Sequence, residues 1–274
     1  MNVGIIGTGN MGTILLNGFI KSNAVKPSEL TVTNRSMYKA YELKNIYPDL
    51  NVVETAKEVI TASEIVIVCV KPLEIQPLLS SLQKYFTKKH CVISITSPIN
   101  VEQLEAILPC QVARVIPSIT NQALSGVTLV NFGNRCTAKS KEQIIELFSN
   151  VSKPVMITED ITRVSSDIAS CGPAFFSYLI QKFIDAAVCQ TSISKEQATI
   201  LAEEMIIGFG KLIEQKHFTL ETLQEKVCVK GGITGEGIKV LEARVGDLFE
   251  EIFEKTHDKF DKEIERVKEQ FRLT

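Results

Sequence analysis

The hydrophobic positions divide the chain into two regions of different character. Over residues 1–160, short continuous apolar runs alternate with amphipathic stretches. Runs that are apolar on both faces are typical of strands buried in a parallel sheet whose crossover connections are helices. The predicted strands are Val3–Ile6, Leu30–Thr33, Val52–Val53, Ile65–Val70, Cys91–Ile95, Val112–Ile116, Val127–Val130 and Val155–Ile157.

The stretches between these strands predict helices at Met11–Ile20, 37–45, 55–62, 74–85, 101–108 and 140–150. From residue 161 onward the pattern is helical throughout, with helices expected over 173–190, 195–215, 220–227, 236–243 and from 246. Ser194 and Gln197 have the spacing of a capping box for the second of these. The fold class is therefore α/β, with a parallel-rich sheet over residues 1–160 followed by an all-α domain over 161–274.

Composition narrows the classes of function. The 274 residues carry a net charge of −2 with the two signs interspersed, so the basic surface that nucleic acid requires is absent. Ile65–Val70, the longest strongly apolar run, is too short to cross a bilayer. Seven cysteines without a CxxC pair and three histidines without ligand spacing predict no metal site. An odd cysteine count without a secretory leader predicts a cytoplasmic protein.

A glycine motif directly follows the first predicted strand. Gly7, Gly9 and Gly12 form G-x-G-x-x-G at the start of a helix, where they permit a tight turn, close approach of a pyrophosphate, and close packing of helix on strand. The helix N-terminus also offers unpaired amides to an anion. The predicted phosphate-binding loop comprises Gly7, Thr8, Gly9, Asn10, Met11 and Gly12.

The end of the second strand bears on the choice of dinucleotide. NAD-binding folds tend to place an acid there for the ribose 2′-hydroxyl. This chain has Asn34, Arg35 and Ser36 instead, and a guanidinium with a hydroxyl suits a 2′-phosphate. NADP(H) is therefore preferred over NAD(H). Val70, Lys71 and Pro72 end another strand at the same edge and are predicted to contact the cofactor, although an ordinary strand-to-helix turn fits the spacing equally well.

Four further glycines crowd into "CVKGGITGEGIKVLE" at 228–242, between stretches that otherwise predict helix. Glycine in a helix interior costs about 1 kcal/mol relative to alanine. Bare glycines at a helix N-terminus expose amides that bind an anion. A plain turn between two helices is the alternative.

The motifs "GIIGTGNMG", "TNRS", "VCVKP", "RVIPS", "CGPA" and "GGITGEGIKVLE", in this order, resemble pyrroline-5-carboxylate reductase over essentially the whole chain. The resemblance implies an N-terminal Rossmann domain, an all-helical domain that forms a homodimer or a higher assembly of dimers, and reduction of a cyclic imine with NAD(P)H. It further implies that Gly231, Gly232, Ile233 and Thr234 bind the substrate carboxylate, with Thr234 as the catalytic side chain.

Several positions depart from the family pattern. "SGSGPA" is replaced by "ASCGPA", "MPNTP" by "IPSIT" and "SPGGTT" by "VKGGIT". In the second of these, the resemblance implies that Ser118 replaces an asparagine that contacts the nicotinamide ribose. The "AAG" turn after the third major strand becomes Thr96–Ser97–Pro98, and an asparagine often found before the "KP" strand is replaced by Ala56. This combination resembles the divergent late-competence branch of bacilli, whose gene lies beside the competence operon.

Three functions remain open. The first is NADPH-dependent reduction of 1-pyrroline-5-carboxylate to proline. The second is a non-catalytic or redirected paralogue that binds NADP(H) in a regulatory role. The third, a β-hydroxyacid dehydrogenase, would need Lys182 as its catalytic lysine within a G-x-G-x-x-x-K pattern. The preceding "PAFFSYLIQ" does not match that pattern.

Cys171 and Cys228 border the expected pocket, but no histidine lies near them in sequence, so neither is predicted to be a nucleophile. Lys230 prompts the hypothesis of a substrate with a second carboxylate.

Overall fold

The computed structural model describes residues 1–272, and Leu273 and Thr274, the end of the predicted helical domain, lie outside the described residues. One eight-stranded sheet has the order β3-β2-β1-β4-β5-β6-β7-β8, and all of its pairings are parallel except β6 with β7. The strands are β1 Val3–Ile6, β2 Leu30–Thr33, β3 Asn51–Val52, β4 Ile65–Val68, β5 Cys91–Ser94, β6 Gln111–Ile116, β7 Val127–Phe132 and β8 Lys153–Met156.

Helices cover both faces of this sheet, as continuous apolar strands require. They are α1 Asn10–Lys21, α2 Met37–Ile46, α3 Ala56–Ala62, α4 Pro72–Leu82, α5 Val101–Ile107 and α6 Ala138–Ser149. One apolar layer joins the sheet to α1, α2 and α6, with Phe19 and Phe148 in edge-to-face contact at 5.4 Å. A second layer on the opposite face joins it to α3, α4 and α5.

The remaining helices are α7 Thr162–Ser166, α8 Gly172–Gln190, α9 Lys195–Glu214, α10 Leu220–Val227, α11 Ile233–Val245 and α12 Leu248–Arg272. The predicted α/β fold with a Rossmann sheet and a following helical region is confirmed. The capping box at the start of α9 is also present, because Ser194 accepts from the Gln197 amide and Gln197 accepts from the Ser194 amide.

Two compact units make up the described chain. The first contains Met1–Pro173 together with the chain from Lys255 onward, and the second contains Ala174–Glu254. Within the first unit, Val267 of α12 is buried in the apolar layer of α3, α4 and α5. Within the second, Ile184, Ala198 and Ala202 join α8 to α9. The domain boundary between residues 160 and 161 stays a prediction. Among the helices of residues 1–272, none is long and apolar enough to cross a membrane.

Two predicted helix starts are wrong. Helical backbone begins at Thr162 rather than 173 and reaches α8 through a π-helical turn at Asp167–Cys171. A proline is common in the first turn of a helix, which favours a start at 173, but Pro173 here lies within continuous helical backbone just after the π-helical turn. Helix α11 begins at Ile233 rather than 236, so Gly235 and Gly237 are helical. Only Gly231 of these glycines has a positive φ, +75°.

Candidate active site

The glycine loop lies between β1 and α1, and its own packing requires two of its glycines. Gly7 has φ +102°, and a Cβ there would meet the Cys69 carbonyl oxygen at 2.6 Å. A Cβ on Gly12 would lie 2.0 Å from the Gly7 carbonyl oxygen. Gly9 differs, because no heavy atom lies within 4 Å of its added Cβ. The open space at Gly9 is therefore where a ligand can approach the backbone closely.

The start of α1 has the properties of an anion site. Gly9 is the N-cap and provides no side-chain hydrogen bond, and the first turn has no acidic residue. The first amides of a helix have no intrahelical acceptor. In addition, the hydroxyl oxygen of Thr8 is buried and has no hydrogen-bond partner among the described residues. Unpaired amides and an orphaned hydroxyl fit the pyrophosphate of a dinucleotide.

Asn34 connects this loop to the end of β2. Its Oδ1 accepts from the Thr8 amide at 2.9 Å, and its Nδ2 donates to the Ser36 carbonyl at 3.0 Å. Both ends of the side chain are thus engaged within the protein. Asn34 therefore shapes the two predicted cofactor segments, a role that the sequence did not reveal.

Arg35 and Ser36 are the polar groups at the end of β2 that face solvent. Ser36 is the N-cap of α2 but makes no side-chain capping bond, and the first turn of α2 has no acid. The Arg35 side chain is 83% exposed, and its Nη1 donates to Oε1 of Glu74 at 2.8 Å. A guanidinium, a hydroxyl and a helix N-terminus together fit a phosphate.

A cavity of about 630 Å³ brings these segments together. Since β2, β1 and β4 are neighbours in parallel, the turns after them meet at one edge of the sheet. The predicted residues that line the cavity are Gly7, Gly9, Asn34, Arg35, Ser36, Val70 and Lys71. Thr8 and Asn10 line a neighbouring cavity of about 620 Å³. Met11, Gly12 and Pro72 line neither cavity.

Three charged residues also line the larger cavity and were not predicted from the sequence, namely Lys39, Glu54 and Glu74. Glu74 occupies the first turn of α4, and an acid at that position signals a helix N-terminus, without indicating a contact to Arg35. Cys69 also lines this cavity, and burial raises the pKa of its thiol to about 12. That thiol is therefore protonated near neutral pH.

Two of the stretches that depart from the family pattern contact each other in the first unit. Ser118 is fully buried, and its hydroxyl donates to the Ala169 carbonyl at 2.7 Å. The hydroxyl of Ser170 donates to the Pro117 carbonyl at 3.0 Å. These two bonds join the turn after β6 to the π-helical turn. The Ser118 hydroxyl therefore has a structural role.

The glycine turn of 231–234 lies in the second unit. Gly232 is the N-cap of α11, and its amide donates to the Val229 carbonyl at 2.9 Å. Ile233 is 93% exposed and Thr234 is also exposed. The amides of Ile233 and Thr234 belong to the unpaired first turn of α11. The turn therefore presents first-turn amides and one hydroxyl to solvent, while the amide of Gly232 closes the turn.

Other candidate residues have ordinary surroundings. Lys182 lies with its Nζ 5.4 Å from the Tyr178 ring centroid, and Lys230 is exposed. Burial raises the pKa of the Cys171 thiol, which accepts from Nη2 of Arg163 at 3.4 Å. Cys228 is half-buried. Within residues 1–272, no group of three or more His, Cys, Asp or Glu side chains could hold a metal ion.

Family models match both parts of the chain. The model for "Pyrroline-5-carboxylate reductase dimerisation" matches residues 159–263. The model for "NADP oxidoreductase coenzyme F420-dependent" matches residues 2–98, which contain the glycine loop and the end of β2.

Known proteins are similar over the full length. ComE operon protein 4 of Bacillus subtilis is 55% identical over 100% of both chains. Pyrroline-5-carboxylate reductase 3 of the same organism is 31% identical over 98% of both. The crystal structure of Plasmodium falciparum pyrroline carboxylate reductase with NADP bound has a TM-score of 0.81 at 22% identity, over 99% of this chain and 98% of that one. The chain belongs to the pyrroline-5-carboxylate reductase family, whose members are NAD(P)-dependent oxidoreductases acting on a C=N bond.

Proposed function

We propose that the protein is an NADPH-dependent reductase that converts 1-pyrroline-5-carboxylate to proline. The observation that carries this proposal is the glycine loop, where the N-terminus of α1 has no side-chain cap and Gly9 leaves open space beside the backbone. The buried Thr8 hydroxyl next to Gly9 has no partner among the described residues. Membership of the reductase family supplies the reaction class.

Cofactor preference rests on the end of β2. The 2′-phosphate would accept hydrogen bonds from Arg35 and Ser36 at the acid-free first turn of α2. Charge-assisted bonds of this kind are about twice as strong as neutral ones. A 2′-hydroxyl would gain much less from a guanidinium, so NADPH is preferred over NADH.

The substrate carboxylate is assigned to the turn at Gly231–Thr234. The amides of Ile233 and Thr234, with the Thr234 hydroxyl, would donate to its oxygens, and the positive end of the α11 dipole favours the anion. Gly231 supplies the left-handed residue of the turn, and Gly232 closes it.

The reaction needs little acid–base catalysis from the protein. When bound, NADPH supplies a hydride to the carbon of the protonated imine. The residues of the chain would hold both reactants in position, which lowers the entropic part of the barrier. Thr234, by fixing the carboxylate, is the proposed catalytic side chain.

We also propose a homodimer formed through the helical domain. Large apolar side chains are exposed in the second unit, including Phe183 at 68% and Leu201 at 63%. Exposed apolar patches of this kind mark interaction surfaces. The dimerisation model covers both residues. The proposed location is the cytoplasm, where reducing conditions keep the free thiols reduced.

A second candidate is a non-catalytic paralogue that binds NADP(H). It is favoured by Ser118, which stands where the family pattern has an asparagine for the nicotinamide ribose. The Ser118 hydroxyl donates to the Ala169 carbonyl, so its proton is not available to the nicotinamide ribose.

Steady-state rates of NADPH oxidation with 1-pyrroline-5-carboxylate test the proposal. Removing a hydrogen bond to a charged group costs about 1.5–3 kcal/mol, so Thr234→Val should lower kcat/KM roughly 10- to 150-fold. Thr234→Ser, which keeps the hydroxyl, should retain most of the activity. Equal rates for wild type and Thr234→Val would contradict the assigned role. NADPH binding without substrate-dependent oxidation in wild type would favour the second candidate.

A further inference from the structure

The adenosine end of the proposed cofactor site already contains an anion. Nη1 of Arg35 donates to Oε1 of Glu74 at 2.8 Å, and both side chains line the cavity that contains Gly7 and Gly9. The carboxylate thus occupies a donor of the same guanidinium that a 2′-phosphate would use.

The neighbouring groups make Glu74 the main competitor for Arg35. Glu54 lines the same cavity, but its Oε1 accepts from the Tyr41 hydroxyl at 3.0 Å. Asn34 is engaged at both ends of its side chain, with the Thr8 amide and the Ser36 carbonyl. The Arg35–Glu74 pair is held at the ends of two elements, the turn after β2 and the first turn of α4.

We infer that Glu74 is a specificity-determining residue that weakens the preference of this site for NADPH over NADH. The inference rests on the proposed cofactor site. The 2′-phosphate of NADPH must share Arg35 with the Glu74 carboxylate or displace it, and in either case it lies beside a like charge. NADH has no 2′-phosphate and leaves the pair intact.

The solvent exposure of Arg35 and Glu74 limits how strongly Glu74 can weaken NADPH binding. The Arg35 side chain is 83% exposed and that of Glu74 is 40% exposed, so water screens both the pairing and the repulsion. We expect Glu74→Gln to tighten NADPH binding about 3- to 10-fold and to change NADH binding less than about twofold. The NADPH preference should also fall more steeply with salt in the variant, because Glu74 no longer offsets the screened attraction between Arg35 and the 2′-phosphate.

Fluorescence titration of the purified full chain with NADPH and NADH measures this without turnover. Glu54→Gln is the matched control, because it removes a negative charge from the same cavity without freeing Arg35. It should tighten NADPH binding less than Glu74→Gln. In the Arg35→Gln background, most of the gain from Glu74→Gln should disappear, because Glu74 and the 2′-phosphate then no longer compete for a guanidinium. Melting temperatures verify that each variant is folded.

The outcomes separate this inference from the function on which it rests. If wild type binds NADPH and Glu74→Gln binds both nucleotides as wild type does, the inference alone is wrong. Equal gains from Glu74→Gln and Glu54→Gln would also overturn it, since general charge would then explain the result. If wild type binds neither nucleotide, the proposed function and the inference both fail.

Discussion

The hydroxyl of Ser118 donates to the carbonyl of Ala169 at 2.7 Å, and this bond joins two stretches that both depart from the family pattern. Pro173, four residues after Ala169, has no N–H to offer that carbonyl. Without the Ser118 hydroxyl, the carbonyl of the half-buried Ala169 would lose a hydrogen bond, which costs stability. The replacement at 118 and the backbone at 169 thus form one structural arrangement, so the two stretches should be changed together when family residues are restored.

Ser118→Ala should lower the free energy of unfolding by about 1–3 kcal/mol, because it leaves the Ala169 carbonyl without this donor. In a Pro173→Ala background the same change should cost less, since an alanine amide can supply a donor. Urea denaturation of the four proteins measures the coupling.

Ser149→Ala on α6 is the control for this cycle. Its exposed hydroxyl donates to the Ile145 carbonyl of its own helix, so the expected change is within about 0.5 kcal/mol. Additive costs of Ser118→Ala and Pro173→Ala would contradict the arrangement.

Gly9→Ala and Gly12→Ala should separate binding from folding. The Cβ at Gly9 meets no heavy atom within 4 Å, so the melting temperature should stay near that of wild type while NADPH affinity falls at least about tenfold. The Cβ at Gly12 would lie 2.0 Å from the Gly7 carbonyl oxygen, so that variant should lose stability outright. Thermal melts with and without NADPH provide both readouts. Unchanged NADPH binding in a folded Gly9→Ala would contradict the loop assignment.

Cys69 should resist alkylation near neutral pH. Its thiol pKa is raised by burial from 9.0 to about 12, so its thiolate fraction is about a thousandfold below that of an unperturbed thiol. Because the folded state holds this proton more tightly, its contribution to stability should be lost as pH rises from 9.0 towards 12. Peptide mapping after iodoacetamide treatment should find exposed Cys189 modified first. Early modification of Cys69 in folded protein would show that its surroundings are different.

Phe183→Glu should shift the protein towards a monomer. The side chain is 68% exposed in the second unit, and a charge there would be buried by a partner without compensation. Ile46→Glu is the control, since Ile46 is 65% exposed on α2 of the first unit. Sedimentation velocity should give a halved mass only for Phe183→Glu. An unchanged mass would place the proposed dimer surface elsewhere.

The sequence predicted the order and type of most elements because buried parallel strands are continuous apolar runs. Helix boundaries differ from the prediction where backbone hydrogen bonding, rather than the hydrophobic pattern, determines where a helix begins. The π-helical turn before Gly172 depends on which carbonyls pair, and the letters "DIASC" carry no hydrophobic period that reveals it. Gly235 and Gly237 suggested a break, but a cost of about 1 kcal/mol each is small enough for a helix to absorb.

The candidate site was predicted in part. The glycine loop and Arg35 could be predicted from residue types alone, because a motif directly after a strand lies at a known edge of the sheet. They did not reveal that Asn34 would be engaged by Thr8, or that Glu74 would pair with Arg35 across 39 positions of chain. Such contacts depend on how adjacent strands place their turns, which a single sequence does not specify.

Product analysis after mixing the purified protein with NADPH and 1-pyrroline-5-carboxylate decides whether the protein is a reductase. The proposed function predicts proline formed in equal amount to the NADPH oxidised, faster than with NADH. NADPH binding without any proline would contradict the reductase assignment and leave a nucleotide-binding protein of the same fold.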